Sequence, residues 1–241
     1  MFDHVTIRVS DRPASERFYD LVLGVIGIDE THSGEKFTEW ADFSLTEASA
    51  WKPVTRGLHV GFGASSRDRV DEFWRVATSA GYRDDGEPGP RPEYSDDYYG
   101  GFVLDPDGNS VEAVHFENVR RGVDHLWIRV TDVEASKRFY ETIAPHAQIG
   151  VRTATPERVA FSGEGEGSFS VLSGGRLTEN LHMAFPASDD GAVDDFHRAA
   201  VEAGYRDNGA PGERSVYHPG YYSAYALDPD GHNIELVNHN R

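Results

Sequence analysis

Apolar and polar positions alternate along several short stretches of this chain, and helical stretches separate them. Val5, Ile7 and Val9 fall on one face of the first stretch, with His4, Thr6 and Arg8 on the other. A period of two is the mark of a half-buried strand. Leu58-His59-Val60-Gly61-Phe62 and Leu181-His182-Met183-Ala184-Phe185 alternate in the same way. Val70, Phe73, Trp74, Ala77 and Ala80 then recur at helical spacing up to Gly81, as do Val193, Phe196, Ala200 and Ala203 up to Gly204, and glycine is a common helix terminator. Asp11 with Pro13, and Asp132, are helix-start signals, the latter followed by Ala135, Phe139 and Ile143 on one face. Residues 36–45 and 158–172 read as further strands.

These stretches are copies of one another. Asp3-His-Val-Thr-Ile-Arg-Val-Ser-Asp11 recurs as Asp124-His-Leu-Trp-Ile-Arg-Val-Thr-Asp132, and Ala14-Ser-Glu-Arg-Phe-Tyr19 as Ala135-Ser-Lys-Arg-Phe-Tyr140. Later, Gly81-Tyr-Arg-Asp84 recurs as Gly204-Tyr-Arg-Asp207 and Glu112 as Glu235. The chain is a tandem duplication, and each half reads as strand, helix, strands, then strand, helix, strands. The expected domains are 1–119 and 120–241, with modules of about 1–52, 53–119, 120–176 and 177–241. No Pro- or Ser-rich linker marks the boundary near residues 118–122.

Each half ends in a predicted hairpin. Asp105-Pro-Asp-Gly108 and Asp228-Pro-Asp-Gly231 suit a type I turn with a left-handed glycine, a common three-residue connection. Counting outward from it places Tyr225 opposite Glu235 and Phe102 opposite Glu112. The apolar strand faces must meet the helices that follow, which leaves His4, His59, His125 and His182 on the opposite, concave face. Gly61, Gly63 and Ala184 beside them suggest a ligand cavity.

Composition narrows the chemistry. The 241 residues contain no cysteine, which excludes thiolate sites and Cys nucleophiles, so a metal would be held by His and carboxylate. The net charge of −18 argues against nucleic acid as a partner. No apolar run has membrane-spanning length and no signal peptide pattern opens the chain, so a cytoplasmic protein without a membrane partner is expected, monomer or homodimer. Two strand histidines and one late glutamate per half, His4, His59, Glu112 and His125, His182, Glu235, form ligand sets for a divalent metal (Fe, Mn, Zn or Ni) with positions left for substrate. Each set could come from one half, or His4 could join His182 and Glu235 while His125 joins His59 and Glu112. Arg8 and Arg129 are candidates to bind an anionic part of a small-molecule substrate.

The leading Asp-His strand, the Ala-Ser-x-x-Phe-Tyr helix, the Leu-His strand and Asp-Pro-Asp-Gly followed by Glu resemble the vicinal oxygen chelate superfamily, which includes glyoxalases, bleomycin resistance proteins and extradiol dioxygenases. The resemblance implies an α+β fold of four βαβββ modules, paired into two tandem domains with cupped mixed sheets. It maps the six His and Glu residues above onto the family's metal positions. It also implies a metal-dependent lyase or isomerase of the glyoxalase type acting on a substrate chelated through two adjacent oxygens. An Fe(II) extradiol dioxygenase is the alternative, because Val216-Tyr-His218 and Ala224-Tyr225 preceding Glu235 approach that group's signature. Against it, residues 147–181 hold no histidine where those enzymes place a proton shuttle. An antibiotic-binding or antibiotic-modifying resistance protein is a further alternative. Glu235, Tyr225 and His218 are the expected catalytic residues; Phe102 and Ser95 in the other copy offer no equivalent donors, so the Glu235 site is expected to carry turnover.

Overall fold

The computed structural model describes residues 1–163 and 167–240. Four modules of one strand, one helix and three strands follow each other, as the repeat predicts. The first contains β1 (His4–Val9), α1 (Arg12–Val25), β2 (His32–Ser33), β3 (Thr38–Trp40) and β4 (Phe43–Glu47). The second contains β5 (His59–Gly63), α2 (Arg67–Ser79), β6 (Asp84–Pro90), β7 (Tyr99–Leu104) and β8 (Ser110–His115). The third contains β9 (Val123–Arg129), α3 (Val133–Ala147), β10 (Ile149–Ala154), β11 (Arg158–Gly163) and β12 (Ser168–Leu172). The fourth contains β13 (His182–Pro186), α4 (Asp190–Glu202), β14 (Arg206–Glu213), β15 (Tyr222–Leu227) and β16 (Asn233–Asn238). Among the described residues the strands form two eight-stranded mixed sheets. The expected strand over 158–172 divides into β11 and β12, and residues 164–166 between them lie outside the described residues.

The chain forms two compact units, Thr6–Trp127, and Met1–Val5 with Ile128–Arg241. The division runs through β1 and β9. His4 therefore belongs with the second half of the sequence, and His125 with the first.

In the unit Thr6–Trp127, β5 pairs in parallel with β8 and antiparallel with β9, while β7 joins β8 to β6. Helix α2 buries Val70, Phe73 and Ala77 of the predicted stripe. Trp74 instead sits at the edge and donates its indole N–H to Asp84 at 2.9 Å, and Ala80 is the exposed C-cap. The Ser66 hydroxyl caps α2 by accepting from Arg69 N, and Asp11 caps α1 through Ala14 N; a cap of this kind is worth about 1 kcal/mol. The β7–β8 turn is held from within: Asp105 Oδ1 accepts from the backbone of Asp107 (2.9 Å) and Asn109 (2.8 Å), and Gly108 takes φ 85°. Its other oxygen accepts from the Tyr19 hydroxyl at 3.1 Å. The aromatic end of the Ala-Ser-x-x-Phe-Tyr helix is thus bolted to the turn that sets the register of the glutamate strand.

The second unit repeats these devices. β13 pairs in parallel with β16, which continues through β15 to β14. The Asp3 N–H donates to the Ala184 carbonyl at 2.9 Å, which brings the start of the chain beside β13. Asp132 and Asp189 cap α3 and α4. Asp228 Oδ1 accepts from the backbone of Asp230 and His232, and its Oδ2 from the Tyr140 hydroxyl at 3.3 Å. Phe161, Phe169 and Tyr140 pack ring against ring, with centroids 4.7 to 5.3 Å apart, in its core.

Candidate metal centres

The hairpin turns deliver the predicted registers. Tyr225 stands opposite Glu235, and Phe102 opposite Glu112. Parallel pairing then places Gly61 level with Glu112 and Ala184 level with Glu235, so each buried glutamate points to the same side of its sheet as the histidine two residues before that partner.

Two triads result, each within one unit. In the first, His59 Nε2 lies 3.1 Å from both Glu112 Oε2 and His125 Nε2, and His125 Nε2 lies 3.2 Å from Glu112 Oε2. In the second, His182 Nε2 lies 3.1 Å from both Glu235 Oε2 and His4 Nε2, and His4 Nε2 lies 3.6 Å from Glu235 Oε2. Of the two ligand pairings open in the sequence, the crossed one is observed. Bonds of about 2.0–2.2 Å at near-right angles to one ion set neighbouring donor atoms about 3 Å apart, so these spacings fit a divalent metal. The donor set is two neutral-capable imidazoles and one carboxylate, which suits such an ion.

The atoms behind the triads fit as well. His4 Nδ1 is 2.8 Å from Asp3 Oδ1 and His125 Nδ1 is 2.9 Å from Asp124 Oδ1, so both rings donate there and turn Nε2 toward the triads. His59 Nδ1 meets the Ser110 hydroxyl at 3.0 Å, and His182 Nδ1 the Asn233 amide at 2.5 Å. The second oxygen of each glutamate accepts a phenol: Tyr98 to Glu112 Oε1 and Tyr221 to Glu235 Oε1, both at 2.8 Å. The Glu235 side chain is 2% exposed and that of His4 19%, so the second triad is more open to solvent on its imidazole side.

Electrostatics follow from this packing. Burial opposes ionisation of Glu112, but hydrogen bonds and charge from His125 and His59 prevail and hold it down at about 2. Burial likewise disfavours a charged His125, yet Asp124 and Glu112 raise it to about 9. His59, dominated by burial, is lowered. Against its burial, Glu235 is held low by His182, His4 and the Tyr221 hydroxyl. Burial beside these carboxylates pushes the Tyr98 and Tyr221 phenols well up, so both remain donors.

Tyr225 lies beside Glu235, and burial and the charge of that carboxylate raise its phenol. The Tyr225 ring is 6.3 Å from the His182 ring, and its hydroxyl accepts from Ser223 at 3.1 Å. His218 bonds to His239, Nε2 to Nδ1, at 2.9 Å. Arg129 donates to the Gly174 carbonyl at 3.0 Å, and the Arg8 backbone is tied to Thr55, its guanidinium made less basic by burial. The arginines beside the ring walls are Arg91, 5.5 Å from the centre of the Phe102 ring, and Arg214, 5.6 Å from that of Tyr225. They occupy matching positions of the two copies, a signal the repeat carries. Gly61 and Gly63 do not leave room for a ligand. A Cβ on Gly61 would sit 2.3 Å from the His125 ring and one on Gly63 1.7 Å from the Arg120 carbonyl oxygen, so the missing atoms make space for β9 and its approach.

The sequence model of the Glyoxalase/Bleomycin resistance protein/Dioxygenase superfamily matches residues 1–113 and again residues 122–236. The chain belongs to this superfamily, as a tandem member. Its fold is similar to that of glyoxalase I from Zea mays, with a TM-score of 0.71 at 20% identity over 99% of this chain and 92% of that one. It is also similar to a "putative dioxygenase" from Bacillus subtilis subsp. subtilis str. 168, with a TM-score of 0.68 at 14% identity over 100% of this chain and 85% of that one. No curated protein sequence matches the chain. Among the described residues no helix is long and apolar enough to cross a membrane.

Proposed function

We propose that this protein is a divalent-metal-dependent enzyme of the glyoxalase type, a lyase or isomerase acting on a small substrate held through two adjacent oxygens. The observation that carries the reading is the convergence of two imidazole Nε2 atoms and one carboxylate oxygen within 3.1 to 3.6 Å in each triad. A bound ion would supply Lewis acidity toward a carbonyl-hydroxyl or diol pair. His4, His182 and Glu235 would hold it in one centre, and His59, His125 and Glu112 in the other. Tyr221 holds one oxygen of Glu235 and the other is turned toward His182 and His4, so Glu235 would hold the ion, and would take a proton from a carbon next to the chelated carbonyl only when that second oxygen is displaced from it. Arg214 and Arg91 supply positive charge at the rims for an anionic substituent.

Extradiol ring cleavage is the second reading, favoured by Tyr225 lying directly across the ladder from Glu235. The deciding experiment loads the protein with Fe(II), Mn(II), Zn(II) or Ni(II) and offers hemithioacetals and catechols while oxygen uptake is recorded. Redox-silent turnover of a hemithioacetal supports the isomerase, and oxygen consumption with a catechol supports the dioxygenase. A protein that binds none of these metals stoichiometrically sinks both.

A further inference from the structure

Behind His4, a line of hydrogen bonds runs to the surface that has no counterpart behind His125 among the described residues. Asp3 Oδ1 accepts from His4, and Asp3 Oδ2 lies 2.8 Å from His239 Nε2. His239 Nδ1 lies 2.9 Å from His218 Nε2, and His218 Nδ1 lies 2.7 Å from the Pro219 carbonyl. Both rings are half-buried and stacked with centroids 5.2 Å apart.

The protons on this line can be counted. A carbonyl oxygen only accepts, so His218 Nδ1 carries a hydrogen; the Asp3 carboxylate only accepts, so His239 Nε2 carries one. Each Asp3 oxygen faces a ring nitrogen, of His4 and of His239, at 2.8 Å. The contact between His218 Nε2 and His239 Nδ1 needs one hydrogen more. Three protons on the four nitrogens of two imidazoles amount to one excess proton and one positive charge.

We propose that His218 and His239 share a single excess proton and through it clamp Asp3 in the orientation that fixes His4 Nε2 in the triad. The proposal rests on the reading of the Glu235 triad as a metal centre. His239 acts on His4 only through Asp3 and is a positioning residue. The groups that face the pair agree with the charge. Asp3 comes from the start of β1, the Tyr221 ring packs on both imidazoles at 5.3 and 5.2 Å, and the Glu213 carboxylate accepts from Gly220 N beside His218. At the matching positions of the other copy stand Ser95, whose hydroxyl turns to Asp97, and Phe116, which stacks on Tyr98. The position that matches His239 thus carries no donor in the other copy.

The test is histidine-selective 15N NMR of the full chain, at neutral pH without metal and then through a Zn(II) titration. The wild type should show one excess proton on His218 and His239 together. His239→Phe, the residue the other copy tolerates, should weaken Zn(II) at the Glu235 centre about 10-fold, the low end for loss of a partner behind a ligand. His239→Gln, which keeps a donor toward Asp3 without the charge, should recover only part of that loss. The His59 and His125 signals report the Glu112 centre in the same sample and should not change, which controls for misfolding. Two neutral rings in the wild type, or undiminished affinity in His239→Phe, overturn the proposal. If the wild-type Glu235 centre takes no Zn(II), the metal reading fails, and the ring protonation alone then decides the pair.

Discussion

The phenol of Tyr221 and the carboxylate of Glu235 form a 2.8 Å hydrogen bond between two buried groups, and Tyr98 with Glu112 repeats it. One glutamate oxygen is thereby occupied and the other turned toward the two imidazoles. Tyr221→Phe should leave the fold intact and weaken metal at the Glu235 centre by about 10-fold or more, while Tyr225→Phe should alter affinity little. Competition against a chromophoric chelator measures both. Equal affinities for the Tyr221→Phe and wild-type proteins would show that the carboxylate needs no anchor.

Because the triads are separate, His182→Ala should remove one equivalent of bound metal and His59→Ala the other. The double variant should bind none. Metal analysis after dialysis reads this directly, and retained stoichiometry in the double variant would refute the ligand assignment.

The Glu112 triad should respond to pH with a definite sign. His125 is raised from 6.5 to about 9, so its contribution to the stability of metal-free protein is complete below 6.5 and is lost as pH climbs through 9. Glu112 is lowered from 4.5 to about 2, so its share is complete above 4.5 and is lost as pH falls through 2. Thermal melts should therefore place the plateau from this pair between 4.5 and 6.5. Metal must displace the His125 proton, so affinity at this centre should rise about 10-fold per pH unit until about 9. A flat affinity between pH 7 and 9 would contradict it.

Gly61→Val should destroy the Glu112 centre alone, since the new Cβ would occupy the place of the His125 ring. Overpacking of this kind costs about 1–3 kcal/mol. The expected result is a lower melting temperature and the loss of one metal equivalent with the Glu235 centre still filled; a variant that keeps both equivalents would show that β9 can shift.

In whichever assay first shows turnover, Glu235→Gln should be the inactive variant and Glu112→Gln the active one. The Glu235 centre has Tyr225 and the His218–His239 pair around it, where the other has Phe102, Ser95 and Phe116. The reverse outcome would assign turnover to the Glu112 centre.

The modules, the capping aspartates and the ladder register were legible because each is written in local spacing: a period of two, a helical stripe, an Asp-Pro-Asp-Gly turn. Tyr225 was correctly counted to lie across from Glu235, but the hydroxyl that reaches the carboxylate belongs to Tyr221, which lies before β15 begins and so outside any ladder count. Gly61 read as space for a ligand because the sequence does not say which strand comes to lie beside β5. The choice between the crossed and uncrossed pairings of the triads stayed open for the same reason. It depends on β1 meeting β13 and β9 meeting β5, pairings far apart in the chain that no local pattern encodes.

That crossing has a consequence for biosynthesis. His59, Glu112 and His125 are all present once the chain has been made through residue 125, whereas His4, made before any of them, must wait for Glu235. At about 10 residues per second the interval between the two is about ten seconds. The nascent chain should therefore be able to capture metal at one centre while β1 has β4 but not yet β13 at its side, and a message cut short in its last quarter would yield a protein with a single ion and a bare His4.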